Sequence, residues 1–184
     1  MAPAFAVWLT GRPASGKSAI ANALSLELHG RGVDVAVLES DVLRALITPY
    51  PRYDDAERDL FYASLEHLGR FLVRRGVCVI FDATANRRAY RDAARAGIER
   101  FAEIFVDCPL EVCAARDPKG LYREAREGRT EHLPGVQTGY EPPERPELVL
   151  ASDRTLPRDG ALAILALLER RGWLTVAEGG TKGN

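Results

Sequence analysis

The chain has 184 residues, 46% of them hydrophobic, with 25 basic against 26 acidic side chains and a formal net charge of −1. That length suits one domain with a real core, residues 1–184, and the charge balance excludes the global field that would gather nucleic acid or a membrane surface, so any anion site must be local. Nothing approaches the ~18 apolar residues of a membrane span, no basic region precedes the N-terminal apolar run, and Cys78, Cys108 and Cys113 lack metal-ligand or CxxC spacing. They read as buried thiols in a reducing cytoplasm.

Residues 5–10 (FAVWLT) are apolar enough for a central strand. After Lys17, Ile20, Ala23, Leu24 and Leu28 recur at helical spacing until Gly30 and Gly32. A second strand is expected at 33–38, with Glu39, Ser40 and Asp41 at its carboxyl end. The acidic, aromatic ITPYPRYDD then leads into a long helix over about 56–75. A third strand at 77–81 ends in Asp82, and the basic RRAYRDAARAG reads as a helix. Residues 101–106 make a fourth strand and 110–115 a short helix. The segment 117–146 is dense in charge, Gly and Pro, with little apolar content to bury, which suits a lid with one internal helix. A fifth strand at 148–151 and a closing helix at 161–171 follow, and a tail from about 176 to 184 is expected to be loose. Short apolar runs alternating with amphipathic stretches are the pattern of a parallel α/β sheet.

The stretch GRPASGKS, residues 11–18, fits G-x-x-x-x-G-K-[ST] completely and lies between the first strand and the first helix. In that place the backbone amides from Gly11, Ala14 and Ser15 through Gly16, Lys17, Ser18 and Ala19 would converge on phosphate oxygens at a helix N-terminus. Lys17 would reach the β and γ phosphates, and Ser18 would offer its hydroxyl to Mg²⁺. The expected fold is therefore a P-loop nucleoside-triphosphate-hydrolase-type three-layer α/β sandwich, with a five-stranded parallel sheet and a lid. A P-loop alone admits a GTPase switch, a motor, a transporter subunit or a small kinase. The short chain, the charged lid between strands four and five, and the carboxylates ending strands two and three favour the kinase. Ligands of open α/β sheets bind beyond the carboxyl strand ends, so Asp41 and Asp82 should face one crevice with Lys17. There one could serve the metal and the other orient or deprotonate an acceptor hydroxyl, unless either is a helix N-cap.

FVDCPLEVCAARDPKGLYREAREG, followed by LPG and YEPPERPEL, closely resembles the lid and flanking strands of the adenylylsulfate kinases (APS kinases). Those enzymes use ATP to phosphorylate the 3′-hydroxyl of adenosine 5′-phosphosulfate (APS). The likeness runs from the P-loop to about Ser152 and is most specific in PLEVC, RDPKGLY and PELV. It implies ATP and Mg²⁺ as cofactors, APS as the small-molecule acceptor, and a homodimer. It also implies Arg116 against the ATP base, with Lys119, Arg123 and Arg126 approaching the phosphates or the acceptor. Asp41 and Arg44 match the second Asp and the Arg of the family's D-G-D-N-V-R stretch, so Asp41 would serve metal and base functions and Arg44 would hold the acceptor's anionic end.

The departures fall on the acceptor side. Tyr53 and Leu133 stand where the family has two Phe residues that sandwich the acceptor adenine. LFYAS at 60–64 replaces E-N-I-R-R, losing an Asn and an Arg while Arg58 remains. FDATANRR replaces F-I-S-P-Y-R, which keeps Arg88 and brings in Asp82. A kinase of the same fold acting on another nucleotide, sugar or specialised metabolite is the first rival. A nucleotide-binding regulator without catalysis is the second, opposed by the presence of Lys17, Ser18, Asp41 and Lys119.

Overall fold

The computed structural model describes residues 3–129 and 132–174. The expected loose tail at 176–184 lies outside the described residues. Five strands, β1 (Ala6–Thr10), β2 (Val35–Glu39), β3 (Cys78–Asp82), β4 (Phe101–Asp107) and β5 (Leu148–Ala151), form one sheet in the order β2-β3-β1-β4-β5, and every pairing is parallel. Seven helices accompany them among the described residues: α1 (Lys17–Gly30), α2 (Ser40–Ile47), α3 (Asp55–Arg74), α4 (Arg88–Gly97), α5 (Leu110–Arg116), α6 (Leu121–Arg126) and α7 (Pro157–Arg170).

The period-two geometry of the strands divides the core between two faces. Val7 and Leu9, Ile80, and Ile104 and Val106 point to the face where Ile20, Leu24 and Leu28 of α1 meet Ile164, Leu165 and Leu168 of α7. Ala6 and Trp8, with Val79 and Phe81, point the other way, onto Phe61, Tyr62 and Leu65 of α3 and Tyr90 and Ala94 of α4. Trp8 stacks on Phe81 with ring centroids 4.4 Å apart, and its indole N–H donates to Ala83 O at 3.0 Å. Because the chain leaves β1 toward one face and the neighbouring β3 toward the other, a crevice opens at their carboxyl ends.

Two elements differ from the sequence expectation. α2 is absent from the sequence expectation: it is only eight residues long, none is fully buried, and of its apolar side chains Leu43 alone packs against the core while Val42 and Leu46 are exposed. α7 begins at Pro157 rather than near 161, because its first turn is polar and the apolar spacing starts only at Ala161. The 117–146 segment also has more to bury than its composition suggests. Tyr122 and Leu133 are buried with Cys108 and Cys113 in a small cluster against Ala14. All three cysteines are buried and unpaired.

On the α4 side of β4 sits a buried charge network. Arg91, 1% exposed, donates to Glu103 Oε1 at 2.6 Å and to Glu141 O at 2.7 Å, and also to Ala85 O. These bonds hold the loop after β3 against the chain entering β5. Arg91→Met leaves the buried Glu103 only the longer contact from Arg95 at 3.4 Å and takes the donor from Ala85 O and Glu141 O, so it is expected to cost about 3 kcal/mol. In thermal unfolding that is a fall in Tm of roughly 6–12 °C, and an unchanged Tm would refute it.

Candidate active site

The phosphate-binding loop is built by close approach. A Cβ at Gly11 would lie 2.4 Å from Val106 O, so only glycine lets the chain turn there against β4. Gly16 adopts φ 97° at the N-cap of α1 and offers no side-chain cap, which leaves the first amides of the helix open to an anion. Lys17 is 8% exposed, and its Nζ donates to Gly11 O at 3.1 Å and Arg12 O at 2.9 Å. Burial pushes its pKa below the usual lysine range, opposed by the charges of Asp82 first and Asp41 second. Ser15 is buried beneath the loop. Its carbonyl accepts from Ser152 Oγ at 2.6 Å, and its own hydroxyl has no partner among the described residues. Tyr122 of α6 donates its hydroxyl to Pro13 O at 2.9 Å, tying the segment after β4 to the loop.

Beyond the loop a cavity of about 1130 Å³ runs along the carboxyl ends of the strands. One small ligand occupies roughly 300–1,000 Å³, so the space suits two molecules side by side. Ala14, Gly16, Lys17, Ser18, Ala19 and Arg116 line one part of it, whereas Gly11 and Ser15 lie underneath. Arg116 donates to Ser152 O at 2.8 Å and comes 3.8 Å from where a Cβ on Gly16 would stand.

Asp82, the last residue of β3 and 4% exposed, and Asp41, in the first turn of α2, both line the same cavity as Lys17. Neither is an N-cap: Glu39 and Arg87 occupy the N-cap positions of α2 and α4, without a side-chain capping bond. Lys119, on the turn between α5 and α6, forms an ion pair with Asp41. That hydrogen bond, more than any other influence, raises the lysine's pKa. Among the described residues no group of three or more His, Cys, Asp or Glu could hold a metal unaided. Ser18 from the loop and Asp41 from α2 nevertheless offer hard oxygens to one cavity, and Mg²⁺ is ordinarily held by one or two protein oxygens with phosphates and water completing its shell. The residues fit a metal that arrives with its nucleotide.

The far end is organised by the start of α3. Asp54 caps that helix by accepting from Glu57 N at 2.8 Å, and Glu57 reaches back to Arg52 N at 2.6 Å. Glu57 also takes Arg44 Nη1 at 3.1 Å, and the Arg44 guanidinium lies 3.9 Å from the Phe61 ring centroid and 5.3 Å from that of Tyr53. Tyr53 holds φ 57°, a left-handed conformation uncommon for an aromatic residue, and its carbonyl receives Arg58 Nε at 2.9 Å. Arg58, 4% exposed, gives its remaining donors to His132 O at 2.8 Å and Asn86 Oδ1 at 3.4 Å.

The structure thus brings together Lys17, Ser18, Asp41, Arg44, Tyr53, Arg58, Asp82, Arg116, Lys119 and Leu133 around one cavity. It does not bring Arg88 there. Arg88 opens α4, takes Glu141 Oε2 on its backbone N–H at 2.8 Å and pairs with Glu144 at 2.5 Å. Arg123 and Arg126 also stay off the cavity wall, where α6 presents Leu121 and Glu124 instead. Sequence reasoning missed Glu57 and Tyr62. The D-x-x-E spacing of Asp54 and Glu57 was a signal for the first; Tyr62 carries none, since it reads as one more apolar position of a long helix.

Comparison with known proteins gives a match to the family model described as adenylylsulphate kinase over residues 3–151. An adenylyl-sulfate kinase of Synechococcus sp. (strain JA-2-3B'a(2-13)) is 37% identical over 165 residues, covering 89% of this chain and 94% of the relative. A probable bifunctional SAT/APS kinase 2 of Sorangium cellulosum is 35% identical across 92% of this chain, which spans only 29% of that longer protein. Among solved structures, the Mycobacterium tuberculosis APS kinase in complex with AMPPNP and APS superposes with a TM-score of 0.85 at 34% identity, covering 92% of this chain and 99% of that one.

Proposed function

The chain belongs to the adenylylsulphate kinase family, and we propose that it transfers the γ-phosphoryl group of ATP to the 3′-hydroxyl of adenosine 5′-phosphosulfate. The observation that carries this is the continuous cavity, with a phosphate loop and buried lysine at one end, a cationic, aromatic pocket at the other, and the Asp41–Lys119 pair lining it as well.

In the proposed reaction the acceptor hydroxyl attacks the γ-phosphorus, its proton passes to Asp41, and the bond to the bridging β,γ-oxygen breaks to release ADP. Phosphoryl transfer is mostly positioning and charge neutralisation. Lys17 and the open amides of α1 supply positive charge to the β and γ oxygens. Lys119 follows the phosphates once they draw it from Asp41. Ser18 and Asp41 would hold Mg²⁺, which supplies further neutralisation of the phosphate oxygens. Arg116 lies on the nucleotide side for the base of ATP. Tyr53 offers a ring for adenine of the acceptor, and Leu133 an apolar wall opposite.

A cytoplasmic location and a homodimer belong to the same proposal, the first supported by three unpaired thiols. No helix among the described residues is long and apolar enough to cross a membrane. The deciding experiment follows ADP release with Mg²⁺, ATP and APS, and identifies the product by chromatography. APS-dependent ADP release with 3′-phosphorylation is the expected result. ATP consumption driven by a sugar or another nucleotide but not by APS would overturn it.

A further inference from the structure

Two guanidinium groups bound the acceptor end of the cavity, and their charges are not balanced alike. Arg44 is neutralised by Glu57. Arg58 is buried, yet the partners of its donors, Tyr53 O, Asn86 Oδ1 and His132 O, are all neutral. Among the described residues no carboxylate pairs with Arg58, and a buried cation left so is costly unless an anion from outside completes it.

Tyr62 lines the same end. It is 6% exposed, its ring is fixed by stacking on Tyr90 at 4.5 Å and by an edge contact with Phe61 at 5.3 Å, and its hydroxyl accepts from Ala85 N at 3.1 Å. Among the described residues that hydroxyl accepts hydrogen bonds and gives none. Its hydrogen is therefore available to a ligand in the cavity. Burial raises its pKa overall, and the charges of Arg44 and Arg58 oppose that rise only in part, so all three groups share one neighbourhood.

We propose that Tyr62 is a specificity-determining residue that donates its phenolic hydrogen to the 5′-anionic group of the acceptor, completing with Arg58 and Arg44 an oxyanion subsite. The assignment rests on the proposed function for the identity of that acceptor. On this turn of α3 Phe61 lies beneath the Arg44 guanidinium and Tyr62 follows it in the chain. The ring stacking positions the hydroxyl, and the Ala85 amide fixes the side from which it can donate.

The test is calorimetric titration of APS and, separately, of adenosine into wild type and Tyr62→Phe, each saturated with Mg²⁺ and ADP. The phenylalanine keeps the ring stack, and an unchanged ADP affinity certifies the fold of the variant. A hydrogen bond to a charged group is strong, so the Kd of APS is expected to rise about tenfold while that of adenosine, which lacks the anionic group, stays within about twofold. An unchanged Kd for APS overturns the assignment. So does an equal loss for both ligands, which would mean that the variant merely disturbs the loop carrying Ala85. Wild type that binds APS but does not phosphorylate it would unseat the kinase proposal instead, and the comparison of the two ligands would still decide Tyr62.

Discussion

Lys17→Ala is expected to lower turnover by about 10³-fold, equivalent to about 4 kcal/mol of transition-state stabilisation, and to weaken ATP binding as well. The lysine is buried under the mouth of the phosphate loop, where the carbonyls of Gly11 and Arg12 hold its ammonium. Those contacts are local to the loop, so the variant should fold, and circular dichroism would verify that. Arginine should not rescue it, because a planar fork needs more room than a point charge in a closed loop. Activity of Lys17→Ala within tenfold of wild type would refute the role. The same site fixes a pH dependence. Only the ammonium form neutralises phosphate, and burial has already lowered its pKa, so kcat/KM for ATP should decline with rising pH on a limb below that of an ordinary lysine. Asp82 is the main charge opposing the burial. Asp82→Asn should therefore move that alkaline limb further down, and an upward movement would contradict the electrostatic account.

Asp41→Asn should lower kcat by about 10²–10⁴-fold, the range for a positioned acid or base, with a higher Mg²⁺ concentration needed for half-maximal rate. The carboxylate lies in the first turn of α2, where negative charge favours the helix, and it pairs with Lys119 across the cavity. Both side chains are more than half exposed, so their pairing contributes little to stability and the variant should melt near wild type. Lys119→Met isolates the cation: it should lower kcat while leaving the Mg²⁺ requirement in place. If Asp41→Asn shifted neither kcat nor the Mg²⁺ dependence, the carboxylate would have no part in the reaction. Melting temperatures, kcat and magnesium titrations on the two variants separate these cases.

Legibility from sequence tracked locality. The phosphate loop could be read because its geometry is imposed by eight consecutive residues: small ones where the backbone must approach a ligand or β4, and a lysine that starts the helix. The parallel sheet could be read from the apolar runs, since strands covered on both faces tolerate few polar positions. Arg88 could not be placed from its neighbours in the chain, because its partners Glu141 and Glu144 lie more than fifty residues onward and draw it to the surface. α2 was hard to read because it is only eight residues long and sets a single apolar side chain, Leu43, against the core.

By itself, then, the sequence determined the phosphate loop, the order of the strands and most of the helices, and the family, all of which rest on contiguous residues or on long apolar patterns. Only the tertiary structure decided the acceptor end, where Arg44 from α2, Glu57, Phe61 and Tyr62 from α3, Ala85 after β3 and His132 meet. The physical reason is that charge balance and hydrogen-bond satisfaction are properties of groups brought together in space. A guanidinium paired with a glutamate and one surrounded by neutral carbonyls are the same letter in a sequence.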